Sequence, residues 1–268
     1  MKVIVCIKQV PDTKGGVAFN PDGTLNRAAM LAIMNPDDKA GLEAALRLKD
    51  QFGAEVTVLT MGLPKAKDML IEAMAMGADK AVLVTDRKLG GADTWATSST
   101  IAAAIRKLDY DIIITGRQAI DGDTAQVGPQ IAEHLGLPVI SYTQELKIEG
   151  DYAIVKRQYD DRYHILKAKL PCLCTALAEL NEPRYQTVGR IFDYVDRIDG
   201  NDPEVMTVYG RDDLDTLKDE DCGLAGSPTK IAKASDKVRK GAGTKVNFDT
   251  PEESVAYLME QLTTKHII

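Results

Sequence analysis

The stretch GRQAIDGDTAQVGP at residues 116–129 follows the apolar run Asp111-Ile112-Ile113-Ile114-Thr115 and leads into a helical segment that ends at Gly136. A continuous apolar run of strand length, bounded by turn residues, reads as a buried strand, so residues 116–129 form a strand-to-helix connection. Gly116, Gly122 and Gly128 let the backbone turn tightly and approach a ligand, leaving N–H groups near residues 121–124 to meet phosphate oxygens. Arg117 and the Gln and Thr donors complete an anion cradle. The spacing matches neither GxGxxG nor GxxxxGK(S/T), the two best-known phosphate fingerprints. A Gly- and Asp-rich turn whose carboxylates cap the following helix accounts for the same residues.

Outward from this connection, strands and helices alternate. Residues 2–8 (KVIVCIK) suit the middle of a parallel sheet covered on both faces. Residues 9–12 open a loop through Gly15, Gly16 and Pro21-Asp22-Gly23, with a short extended piece over 17–19. Asn35-Pro36 reads as an N-cap with Pro at the first helical position. Asp37 and Asp38 favour that helix end, and Ala40, Leu42, Ala45, Leu46 and Leu48 form an apolar face up to Gly53. Residues 55–61 and 81–84 are further strands, each followed by a helix. One helix turns Met69, Leu70, Ala73 and Met74 inward and stops at Gly77; the other is capped by Asp93 and ends near Lys107. Four strands alternating with four helices predict an α/β fold, a doubly wound parallel sheet that binds ligands beyond its C-terminal edge. That edge collects Lys8, Met61, the loop at Gly90 and the loop at Gly116.

From Val139 the pattern becomes antiparallel: residues 142–148, 152–158 and 163–168 alternate, separated by turns at 149–151 and 159–161. Residues 170–176 return as an apolar strand able to rejoin the main sheet, and a helix follows near 189–197. Beyond Gly200 the chain is polar and acidic, then Gly- and Lys-rich from 223 to 245, as in an extended arm. Thr250-Pro251-Glu252-Glu253 starts another helix, whose Val255, Leu258, Met259 and Leu262 form a stripe for docking on its own domain or on a partner. The predicted division is a nucleotide-binding α/β domain over 1–225 and an arm with a docking helix over 226–268.

A formal net charge of −7 over 268 residues argues against nucleic acid or an anionic membrane as the main partner, since both demand a basic face. No apolar run approaches the roughly 20 residues that span a bilayer, and the start Met1-Lys2-Val3-Ile4-Val5 is a strand rather than a signal peptide; both predict a cytoplasmic protein. Cys6, Cys172, Cys174 and Cys222 form no Cys-x-x-Cys pair, and Cys172 and Cys174 share one strand face as buried thiols. His134, His164 and His266 have no partner at metal-ligand spacing, so no zinc site is expected. A hydrolytic or adenylating activity is disfavoured, because neither a nucleophile–base pair nor a P-loop lysine is present.

Ile7-Lys8-Gln9-Val10-Pro11-Asp12, Met34-Asn35-Pro36, Ala75-Met76-Gly77-Ala78-Asp79, the 116–128 loop and Leu180-Asn181-Glu182-Pro183-Arg184-Tyr185 occur in this order. Together they resemble the beta subunit of electron-transfer flavoproteins over nearly the whole chain. The resemblance implies an adenine-nucleotide-hydrolase-like sheet without hydrolase activity, in a heterodimer with an alpha subunit. It implies contacts to adenosine and phosphates from Cys6, Asn35, Asp38, Met61, Arg117, Gln118, Ala119, Ile120, Asp121, Gly122, Asp123, Thr124, Ala125, Gln126 and Val127. Asp121 and Asp123 repel phosphate as anions, so they are expected to point away and shape the loop. Residues 180–185 resemble the start of the family's recognition loop for dehydrogenases, although residues 191–196 lack the lysine cluster of some relatives.

Some members of that family hold a structural AMP in this subunit, whereas the electron-bifurcating members hold a second FAD whose AMP half takes the same place. Residues 121–129 and 91–98 resemble the bifurcating group. Gly122 and Ala125 remove bulk beside the phosphates. Thr94 and Thr97, one helical turn apart, present hydroxyls to a flavin or else cap and solvate a helix start. The bifurcating reading is an electron carrier in which NADH reduces this FAD by hydride. One electron then passes to the FAD of the alpha subunit and an acyl-CoA dehydrogenase, the other to ferredoxin or flavodoxin. The alternative is a non-bifurcating beta subunit that holds AMP and supports a FAD held by the alpha subunit.

Overall fold

Each unbroken apolar run forms a strand buried on both faces, as its lack of alternation requires. The computed structural model describes residues 1–12, 31–229, 241 and 243–268, divided between two units, Met1–Lys230 and Ile231–Ile268. In chain order the first unit holds β1 (Lys2–Cys6), β2 (Gln9–Pro11), β3 (Ala32–Met34), α1 (Pro36–Phe52), β4 (Glu55–Met61), α2 (Lys67–Met76), β5 (Lys80–Val84) and α3 (Thr94–Ile105). There follow β6 (Ile112–Gly116), α4 (Val127–Leu135), β7 (Val139–Glu149), β8 (Tyr152–Gln158), β9 (Tyr163–Lys169), β10 (Cys172–Ala176), α5 (Val188–Asp199) and β11 (Met206–Tyr209).

A nine-stranded sheet runs in the order β11-β5-β4-β1-β6-β10-β7-β8-β9. Its pairs are parallel from β11 through β7 and antiparallel from there to β9. Val3 and Val5 of β1 enter the core shared with α1 and α2, and Ile4 and Cys6 enter the core shared with α3 and α4. This is the doubly wound three-layer fold expected from the sequence. Strand order reverses at β1: the chain moves outward through β4 and β5, then returns on the other side as β6. The ends of β1 and β6 therefore lie side by side at the switch point. Ile112, Ile113 and Ile114 are fully buried, each stabilising by roughly 1.5–3 kcal/mol, so the strand that feeds the 116–128 loop is firmly anchored. Gly53 and Gly136 end α1 and α4 in the left-handed region, at φ 64° and 67°.

Several details differ from the sequence expectation. Residues 9–11 are not loop but strand β2, paired antiparallel with β3; three residues are too few to show a period, and Pro11 is tolerated at an edge. The extended piece expected over 17–19 lies outside the described residues. The stretch after Gly200 read as polar chain contains β11, which adds to the parallel sheet beside β5. An edge strand with only part of its surface covered carries little apolar signal. Leu214, Leu217 and Cys222 beyond it are buried. In the second unit α6 (Pro251–Thr264) starts at Thr250, whose hydroxyl accepts from Glu253 N at 3.3 Å. Val255, Leu258 and Met259 on α6 are exposed. Among the described residues no helix is long and apolar enough to cross a membrane.

Candidate functional site

The ends of β1, β4, β5 and β6 open on one cavity of about 980 Å³, where strand order reverses. Cys6 and Met61 line it at the strand ends, the 116–128 loop forms one wall and the 90–97 loop another.

The first wall is fastened from behind by α1 and the residue before it. Asn35 is fully buried; its Nδ2 donates to Gln118 O at 2.8 Å and its Oδ1 accepts from Ile120 N at 3.1 Å. Asn35 therefore makes no side-chain cap on α1, contrary to the sequence expectation, because both polar atoms are committed to the loop. Asp38, also buried, accepts from Lys8 N at 2.7 Å and Gly116 N at 2.9 Å, tying the ends of β1 and β6 together. Burial pushes the Asp38 carboxyl up to about 7, against hydrogen bonds from Asn35, Lys8 and Gly116 that favour the charged form. Burial, helped by Asp38, pushes the Cys6 thiol up to about 12. Cys6 is thus an inert part of the wall, since only a thiolate is nucleophilic.

The glycines act through space rather than through left-handed backbone. A Cβ on Gly116 would collide with Asp38 Oδ1, and one on Gly128 would stand 2.5 Å from Thr115 Oγ1, whereas one on Gly122 would meet nothing within 4 Å. The left-handed residues are Asp123 and Ala125, at φ 56° and 53°; non-glycine residues held there concentrate at functional sites. The free N–H groups also sit later than expected. Those of Gly122 and Asp123 are bonded to Ala119 O at 3.2 and 2.9 Å. Those of Thr124, Ala125 and Gln126, and of Val127 and Gly128 in the first turn of α4, have no partner among the described residues. Five such donors beside a helix N-terminus make an anion-binding surface.

The side chains of the wall divide by role. Asp121 turns aside to pair with Lys8 Nζ at 2.7 Å, and Asp123 accepts from Gln118 Nε2. Arg117 Nε lies 3.5 Å from Asp37 Oδ2, and its guanidinium is 5.8 Å from the Tyr142 ring. Burial raises the Asp37 carboxyl despite that arginine. Of the residues named from the sequence, Cys6, Asp38, Met61, Thr94, Thr97, Arg117, Gln118 and Ala119 line the cavity together with residues 122–127. Asn35, Ile120 and Asp121 do not; they support the loop.

The opposite wall begins at Asp93, whose Oδ1 caps α3 by accepting from Ala96 N at 3.0 Å. Thr94 Oγ1 donates to Gln126 Oε1 at 2.9 Å, bridging the two walls. Further along the same seam, Ser98 Oγ meets Gln130 Oε1 and His134 Nε2, each at 3.2 Å. Thr97 lines the cavity, and its hydroxyl has no hydrogen-bond partner among the described residues. Leu63, Pro64, Asp86 and Arg87 also line the cavity and were not named from the sequence. Their signal was position: each lies just past the C-terminal end of β4 or β5, where open parallel sheets bind ligands.

Residues 22–208 match the family described as Electron transfer flavoprotein domain. The chain is 50% identical, over the full length of both proteins, to an electron transfer flavoprotein subunit beta of Clostridium acetobutylicum. The chain belongs to the electron transfer flavoprotein beta subunits. At 47% and 48% identity, again over full lengths, it is similar to the caffeyl-CoA reductase-Etf complex subunit CarD of Acetobacterium woodii and the acryloyl-CoA reductase electron transfer subunit gamma of Anaerotignum propionicum. Of the stretches that resembled the family from sequence, Ile7, Lys8, Asn35 and the 116–128 loop of this beta subunit meet at the cavity or its supports, whereas residues 75–79 and 180–185 do not line it.

Proposed function

We propose that this beta subunit binds FAD in the cavity and supports NADH-dependent electron bifurcation. The observation that carries this reading is the continuity of one cavity of about 980 Å³ across both walls, at the upper end of the roughly 300–1,000 Å³ typical of small-molecule sites. A mononucleotide at the 116–128 loop would leave the 90–97 wall untouched. The residues suit the larger ligand. Unpartnered N–H groups from Thr124 to Gly128 take the diphosphate, Cys6 and Met61 flank the adenine, and open space at Gly122 admits the phosphates. The free Thr97 hydroxyl serves the flavin end. FAD, when bound, supplies hydride acceptance from NADH and single-electron delivery towards the alpha subunit's FAD, an acyl-CoA dehydrogenase, and ferredoxin or flavodoxin. The chain's own part is to bind, orient and seal. Two relatives carry the names of a CoA-thioester reductase complex and of a reductase electron transfer subunit, which supports a dehydrogenase of that class as the partner. The exposed stripe of α6 suits docking on the alpha subunit, and the assembly is cytoplasmic.

Extraction and counting of nucleotides from the purified heterodimer tests the reading. Two FAD per heterodimer is the expected result; one FAD and one AMP would replace it with the structural-AMP reading.

A further inference from the structure

The 90–97 wall has a second tether, on the side away from the 116–128 loop. Leu224 N donates to Gly90 O at 3.1 Å. Asp93 N donates to Ser227 Oγ at 2.8 Å, and Asp93 Oδ2 accepts from Thr229 N at 2.9 Å and Thr229 Oγ1 at 2.7 Å. Ser227 is itself buried and donates to Gly223 O at 2.7 Å. Close contact is built in: Gly223 sits at φ 52°, and a Cβ there would lie 2.7 Å from Gly90 O. The Asp93 carboxylate is therefore divided, one oxygen capping α3 and the other gripping residue 229. Burial would raise this carboxyl, but the Thr229 and Ala96 hydrogen bonds outweigh it and hold it below the usual range. The C-terminal half of α3 is anchored by buried Ile101 and Ile105, whereas its first turn buries only Ala96 and leaves Trp95 exposed, edge-on to His134. The Asp93 tethers therefore add to a turn that is packed on one side only.

We propose that residues 223–229 are a positioning strap, which through Asp93 fixes the first turn of α3 and so sets where Thr94 and Thr97 stand against the cavity. This rests on the reading that FAD spans both walls. Ser227 and Thr229 do not line the cavity, so they act only through Asp93. A strap that merely finished the domain would leave ligand affinity and the environment of the α3 first turn unchanged when weakened.

Trp95, the single tryptophan of the chain, stands two residues past Asp93 and reports on that turn whatever ligand is bound. The full-length chain carrying 5-fluorotryptophan is compared as parent, Thr229→Val and Thr229→Ser by fluorine NMR, and each is titrated with FAD and with AMP. Thr229→Val should shift the Trp95 resonance and weaken FAD about three- to tenfold, as one lost hydrogen bond does. AMP affinity should stay at the parental value, and Thr229→Ser should restore both readings. An unmoved Trp95 resonance in Thr229→Val overturns the strap. A moved resonance with parental FAD affinity leaves the strap in place and instead refutes the reading that FAD reaches this wall.

Discussion

Gly122→Val separates space kept for a ligand from space needed by the fold. Gly122 has no left-handed φ, and a Cβ added to it meets nothing within 4 Å. The folded chain therefore accommodates valine with a stability change within about 0.5 kcal/mol, as for an ordinary surface change. Gly122 lines the cavity, so a side chain added there narrows it. If phosphates approach the backbone there, the ligand meets an overpacked site costing about 1–3 kcal/mol, which is about five- to 150-fold in Kd. Gly116→Ala is the internal contrast, because its Cβ would collide with Asp38 Oδ1 and Asp37 Cβ and the cost falls on folding. Titration calorimetry of the full chain with FAD and AMP, beside urea unfolding, reads both quantities. Parental affinity for both nucleotides in Gly122→Val, or a stability loss as large as that of Gly116→Ala, would refute the reasoning.

Further outcomes are expected. Asn35→Ala leaves Gln118 O and Ile120 N without their buried partner, at about 1–3 kcal/mol for each group; a urea-derived loss below about 1 kcal/mol would contradict the support role. Thr94→Val, which breaks the bridge to Gln126, should cost about 0.5–1.5 kcal/mol of stability, whereas Thr97→Val should spare stability and alter flavin reduction by NADH. Parental reduction kinetics in Thr97→Val would remove that hydroxyl from the flavin site. Asp38 has its folded-state pKa raised from 3.8 to about 7, so its contribution to stability is full at low pH and is lost as pH rises through that window. Stability of the parent minus that of Asp38→Asn, measured from pH 4 to pH 8, should fall with pH; a flat difference would show that Asp38 ionises normally. Deleting residues 241–268 should raise the heterodimer Kd at least about tenfold, and an unchanged Kd would dismiss α6 as a docking helix.

The sequence by itself determined the doubly wound sheet, the position of β1 at its middle, the 116–128 loop as a strand-to-helix connection, and the glycine stops of α1 and α4. These features rest on local physics: short apolar runs of strand length bounded by turn residues suit strands covered on both faces, and glycine at a helix end adopts the left-handed backbone at no steric cost. The resemblance in residues 7–12, 34–36, 75–79, 116–128 and 180–185 added the family. What it could not assign was how each polar group is used. Asn35 has the sequence context of a cap, yet its amide holds a loop more than eighty residues away. Gly122 and Asp123 look like phosphate donors, but their N–H groups close a turn on Ala119, leaving the free donors to residues 124–128. Strand β11 and residues 223–229 read as polar arm because edge strands and hydrogen-bonded straps bury few apolar side chains. Only the tertiary structure decided these points, since a donor's partner is set by which segments the sheet brings together, and a hydrogen bond leaves no periodic trace along the chain.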